Sequence, residues 1–162
     1  MKKLVAGLLV LMAAGVSTAN AQWVYQGEES AFGSGGTYLA VSLKNSYVLG
    51  VRCKNTKLEL LYITTEAMDE EAVTAANTVG VKMRVRVDDN AVADLEGVLD
   101  DVDGKAVAIA DLETELASSI RDGKKRVAVV LEIMGKNFHE NTFNLRGSTD
   151  AVGKVVAACV KG

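Results

Sequence analysis

The chain contains no proline, so its turns must be made by other residues. Fifteen glycines, together with Asn and Asp, supply the backbone freedom that turns require. It has one histidine, His139, which leaves no set of imidazoles for a catalytic metal site and a single candidate base for Ser-His-Asp chemistry. It has two cysteines, Cys53 and Cys159, too few and too far apart for a thiolate metal cluster or a C-x-x-C redox motif. No transition-metal site and no cofactor are expected. Nor is there an apolar run of the roughly 20 residues that a spanning helix needs.

The longest apolar run, Leu4 to Val16, lies close to the start and follows Lys2 and Lys3. Ala19-Asn20-Ala21 then supplies the small-x-small pattern that signal peptidase cuts after. The expectation is a cleaved secretory signal over residues 1–21 and a single exported globular domain over residues 22–162. Gln22, not cysteine, follows the cut, so a lipid anchor is not expected. The destination is the periplasm or the extracellular medium. Removing the leader takes two lysines and no acid, leaving 16 basic residues against 21 acidic ones, a charge of −5. That balance opposes binding to nucleic acid or to anionic membranes. The basic run Lys124-Lys125-Arg126 reads as a solvated turn.

In an oxidising compartment the two cysteines pair by default. The bond would close a loop of about 105 residues and contribute roughly 4–5 kcal/mol on chain-entropy grounds.

Hydrophobic periodicity predicts mostly strands. Gln22–Gln26, which holds the sole tryptophan, Trp23, with Val24 and Tyr25, suggests a first short one. Tyr38–Leu43 alternates, with Tyr38, Ala40 and Ser42 on one face and Leu39, Val41 and Leu43 on the other. Strands over 47–53 and 57–64 continue an antiparallel meander, with turns at Lys44-Asn45-Ser46 and Lys54-Asn55-Thr56. Residues 65–77 read either as a short helix capped by Thr65 or as an acidic loop. Strands follow over 79–87, 91–99 and 105–110, then a helix capped by Asp111 and stopped by Gly123, then strands over 126–134 and 138–145 with Phe138, Phe143 and Leu145 facing the core. The last helix begins at Ser148 or Thr149. Its stripe of Val152, Val155, Val156, Cys159 and Val160 puts Cys159 on the buried side. The fold class is therefore α+β: an antiparallel sheet of meander hairpins with two late helices, the C-terminal one tethered by the disulfide.

Few residues suggest chemistry. His139, within Asn137-Phe138-His139-Glu140-Asn141, reads as a strand histidine facing solvent. Asp100, Asp101 and Asp103 before Gly104 evoke a calcium loop, but the first and twelfth ligand positions fall on Leu99 and Ala110, which have no carboxylate. Asp88 and Asp89 form a second acidic tip. Paired carboxylates of a hydrolase would need one buried acid with a raised pKa, whereas these cluster at turns.

Gly33-Ser34-Gly35-Gly36 lacks the Lys-Ser/Thr of a phosphate loop. Ser34-Gly35-Gly36-Thr37-Tyr38 resembles the S-G-x-x-Y pattern of periplasmic lysozyme inhibitors, which implies a loop entering an enzyme cleft through Ser34, Gly35 and Tyr38. A broader layout comprises the early Trp, Val51-Arg52-Cys53, Val85-Arg86-Val87-Asp88, and Phe143-Asn144-Leu145-Arg146-Gly147 before a helix with Cys159. It resembles small exported proteobacterial proteins, including periplasmic accessory proteins of type VI secretion and the invasion-associated locus B proteins. That resemblance implies a non-catalytic protein acting through partners, with structural roles for Cys53, Cys159 and Gly147. The expected function is an exported binding or accessory protein of the bacterial envelope, its partner a protein or an envelope component. Inhibition of a lysozyme-like hydrolase through Ser34–Tyr38 is the first alternative, and hydrolysis by paired carboxylates the second.

Overall fold

A computed structural model describes residues 22–29 and 36–161. The proposed leader, residues 1–21, lies outside the described residues, as do Ser34 and Gly35. Among the described residues nine strands form one antiparallel sheet: β1 (Val24–Glu29), β2 (Gly36–Lys44), β3 (Tyr47–Lys54), β4 (Lys57–Ile63), β5 (Val81–Val87), β6 (Ala93–Val102), β7 (Lys105–Asp111), β8 (Arg126–Ile133) and β9 (Lys136–Asn144). Their order in space is β1-β2-β3-β4-β7-β6-β5-β8-β9. Three helices accompany them among the described residues: α1 (Glu70–Val79), α2 (Thr114–Asp122) and α3 (Ser148–Lys161). The α+β class and the meander hold. The helices are not all late, because α1 forms in the ambiguous segment before β5.

The hairpins turn without proline. Four tight turns put two successive residues at positive φ: Asn45-Ser46, Asn55-Thr56, Asp103-Gly104 and Met134-Gly135. Such turns match the right-handed twist of the strands they join.

The sheet curls until its two ends meet. The backbone N–H of Trp23 donates to the Arg146 carbonyl at 2.9 Å. Three further links are side chains that donate to carbonyls of β9. Trp23 Nε1 reaches Asn144 at 3.0 Å, Lys44 Nζ reaches Thr142 at 2.8 Å, and the Tyr62 hydroxyl reaches His139 at 2.6 Å. A strand edge otherwise left unpaired is thus protected.

Inside the curl lie the alternate residues of each strand, among them Ala40, Leu49, Val51, Leu60, Tyr62, Met83, Val129 and Phe143. Helix α3 packs against this face through Ala151, Val152, Val155 and Cys159. The Cys53–Cys159 disulfide joins β3 to α3 with Cα atoms 5.5 Å apart, the pairing and placement expected from the apolar stripe. The Ser42 hydroxyl is buried here without a hydrogen-bond partner among the described residues.

Helix boundaries depart from the sequence reading for identifiable reasons. Asp69, not Thr65, caps α1, its carboxylate accepting from the Ala72 N–H at 2.8 Å. Asp111 ends β7 and pairs with Lys57 at 3.0 Å, so α2 starts after Glu113. Gly123 does follow α2, but its φ of −58° needs no glycine. A side chain there would collide with Leu145 and come within 2.8 Å of Val87, so close approach is what requires the glycine. Gly147 combines both needs: φ is +81°, and a Cβ would lie 3.1 Å from the Trp23 carbonyl oxygen. The Ser148 and Thr149 hydroxyls donate to the Arg121 carbonyl, at 3.1 and 3.0 Å, and so close the C-terminal end of α2.

Candidate functional site

Cross-strand register builds an unusual surface on the outer face of the sheet. Val24, Val41, Gly50, Leu61, Ile109 and Val98 are paired in succession, one row across β1, β2, β3, β4, β7 and β6. Leu43, Val48, Ile63 and Val107 form the adjacent row. At about 4.8 Å per strand the band is roughly 24 Å wide. Leu61 and Val107 are buried, yet they belong to this face and not to the interior cluster. The ends of the band are open: Val24, Leu43 and Val98 are 52%, 56% and 53% exposed. Leu39 and Val41 lean over Gly50, whose missing side chain would lie 3.3 Å from Val41 Cγ1. A polar row borders the band, with Arg52 and Glu59 paired at 2.6 Å and Lys57 with Asp111 at 3.0 Å. Among the described residues no helix covers this face, since α3 occupies the opposite one and α1 lies along β6, where Asn77 bonds both the N–H and the carbonyl of Leu99. Contiguous apolar surface with a polar rim is the usual form of a contact site.

A second constellation surrounds His139. A bulge in β8–β9 sets His139 and Glu140 opposite Val130 and holds His139 at φ +54°. The imidazole does not face solvent as expected; its side chain is 19% exposed. Nε2 lies 3.2 Å from Glu66 Oε2, and Nδ1 lies 3.2 Å from the Tyr47 hydroxyl, which in turn accepts from Thr65 at 3.2 Å. Every partner is satisfied when Nε2 carries the proton and donates to Glu66 while Nδ1 accepts from Tyr47. Tyr47 stacks on Tyr62 with ring centroids 5.9 Å apart, and Asn141 donates to the Tyr62 hydroxyl at 3.1 Å. Burial pushes the Tyr62 phenol up to about 12, opposed by the Asn141 hydrogen bond and helped by the neighbouring Tyr47. The carboxylate–imidazole–hydroxyl order resembles an activated nucleophile. Here, however, its groups are spent on one another and on joining β3, β4 and the Glu66 loop to β9.

The remaining candidates fall elsewhere. Tyr38 lies within β2, partly buried against the interior, with its hydroxyl over Gly36. Asp88 is not a free acidic tip. Its carboxylate accepts the backbone N–H groups of Lys124, Lys125 and Arg126, at 2.8, 2.8 and 2.9 Å. The Lys124 and Arg126 donors, foremost, hold it below the usual carboxylate range. The Lys124–Arg126 run is therefore a partner of the 88–89 tip, and Asp89 pairs with Lys125 at 3.5 Å. Asp100, Asp101 and Asp103 are exposed. Among the described residues no group of three or more His, Cys, Asp or Glu side chains is placed to hold a metal ion. None of the described helices is long and apolar enough to cross a membrane.

No protein-family model matches the chain, and no curated protein matches it. Among solved structures, invasion associated protein B from Bartonella henselae shares the fold with a TM-score of 0.54 and 12% sequence identity, over 86% of this chain and 94% of that one. The likeness agrees at the level of fold with the resemblance read from the cysteines and the F-x-L-x-G segment.

Proposed function

We propose that the chain is an exported, non-catalytic binding or accessory protein of the bacterial envelope, and that the apolar band on the outer face of β1–β4 and β7 is its contact surface for a protein partner. The observation that carries this reading is the row Val24–Val41–Gly50–Leu61–Ile109–Val98, in register across six strands, with aliphatic side chains on five of them and Gly50 on the sixth, on a face that no described helix covers. A sheet face left to water alternates apolar-in and polar-out, as β5 does with Lys82, Arg84 and Arg86 outward. The band breaks that pattern where alternation costs nothing to keep. The disulfide and the fold shared with invasion associated protein B are compatible with export.

The test is affinity capture from envelope extract with the protein spanning 22–162, wild type against Val41→Glu with Leu43→Glu. A partner retained by the wild type and lost by the double variant supports the reading. Identical retention by both removes the band from it.

A further inference from the structure

The bulge that turns His139 inward also shapes the opposite side of the sheet. There a cleft of about 210 Å³ opens over the outer face of β5 and β8. Its floor is Ala128 and Val130, Val92 forms one rim, Arg84 and Arg86 line one wall, and Asn137 and Glu140 line another. Val130 has no residue in register on β9, because two bulge residues stand opposite it, and that irregularity leaves the space.

The charges around the cleft are unequally satisfied. Arg84 is held in place: its Nε donates to Asp94 at 3.0 Å and its Nη1 to Glu132 at 3.4 Å. Arg86 and Glu140 have no ion-pair partner within 4.0 Å among the described residues. One unpaired cation and one unpaired anion thus line the same small cleft without pairing with each other, and an amide, Asn137, lies beside them. A guanidinium fork suits a carboxylate, and a carboxylate with an amide oxygen suits an ammonium group. The space equals about seven waters at roughly 30 Å³ each. That is room enough for an amino acid.

We propose that this cleft binds a small zwitterion, a free α-amino acid, with its carboxylate on Arg86, its ammonium group on Glu140 and Asn137, and an aliphatic side chain over Val92, Ala128 and Val130. This site is separate from the apolar band and stands or falls without it.

The experiment is an NMR titration of the oxidised protein with L-valine, N-acetyl-L-valine and L-valinamide. L-Valine should give saturable shifts at the amides of Val92, Ala128, Val130 and Asn137. Blocking either end should weaken binding by roughly tenfold or more, the scale of one lost charge-assisted hydrogen bond. Arg86→Ala and Glu140→Gln, both at exposed positions, should leave the rest of the spectrum unchanged and abolish the shifts. No saturable shift at millimolar L-valine overturns the proposal. So does equal binding of a blocked form, which would mark a plain anion or cation site, and so does undiminished binding by either variant.

Discussion

The Tyr62 hydroxyl donates to the His139 carbonyl at 2.6 Å, and in doing so it joins two strands that are not neighbours in the sheet. Tyr62 belongs to β4 and His139 to the β9 bulge, so this bond ties the terminal strand β9 across the curl to an interior strand of the sheet. Burial raises the phenol to about 12 from an ordinary value of 10.0. The neutral form is therefore favoured in the folded chain. Its contribution to stability is complete below pH 10 and disappears as pH climbs towards 12, because the unfolded chain releases the proton first. Stability measured by urea denaturation should fall over that window, and Tyr62→Phe should flatten the fall. At neutral pH the same variant should lose about 1–2 kcal/mol, since the His139 carbonyl and the Asn141 amide lose a partner. An unchanged alkaline limb in Tyr62→Phe would show that another group governs it.

Cys53 and Cys159 clamp α3 onto β3, and the crosslink spans a sequence separation of 106 residues. Replacing both by alanine should cost about 2–5 kcal/mol. The check is the denaturation midpoint of the double variant together with a thiol count on the wild type. Two free thiols without reductant, or an unmoved midpoint, would contradict the placement of the bond.

Asp88 gathers three backbone N–H donors from the 124–126 segment. Its carboxyl is held below the ordinary aspartate value of 3.8, foremost by the Lys124 and Arg126 donors. The sign is opposite to that of Tyr62. The contribution is present above about pH 4 and is lost as the pH falls through the lowered folded value. Asp88→Asn should destabilise the chain at neutral pH and remove part of the acid limb. A variant whose acid limb matches the wild type would assign that limb to other carboxylates.

The buried Ser42 hydroxyl has no partner among the described residues. Removing an unsatisfied polar atom recovers its desolvation cost, so Ser42→Ala should be neutral or stabilising by up to about 1 kcal/mol. A clear loss of stability in thermal or urea melts would reveal a hidden partner.

Much of the fold was legible because strand alternation and the α3 stripe are strong local signals. What was missed lay where two local signals compete. Phe138 and Phe143 both read as core residues, yet they are five apart, an odd spacing that a regular strand cannot place on one face. A bulge must intervene, and it does, at His139–Glu140. Phe138 then pairs with Leu131 and remains 44% exposed. The inward histidine and the outer cleft both follow from that one irregularity. Asp69 prevailed over Thr65 as a cap because Thr64 and Glu66 are tied to the Ala106 backbone, which keeps the preceding segment extended. Asp111 could not cap α2, since β4 holds the end of β7 through Glu59. The apolar band escaped notice because each strand alone shows only alternation. It is the register between six strands that joins Val24 to Val98.

Site-directed photocrosslinking in cells tests the band as a contact surface most directly. A benzophenone amino acid at Val41 or Ile109 should yield one discrete adduct of the same partner. The same probe at Lys154, on the exposed side of α3, should yield none. No adduct from either band position, or an equal adduct from Lys154, would contradict a contact surface on the outer face of β1–β4 and β7.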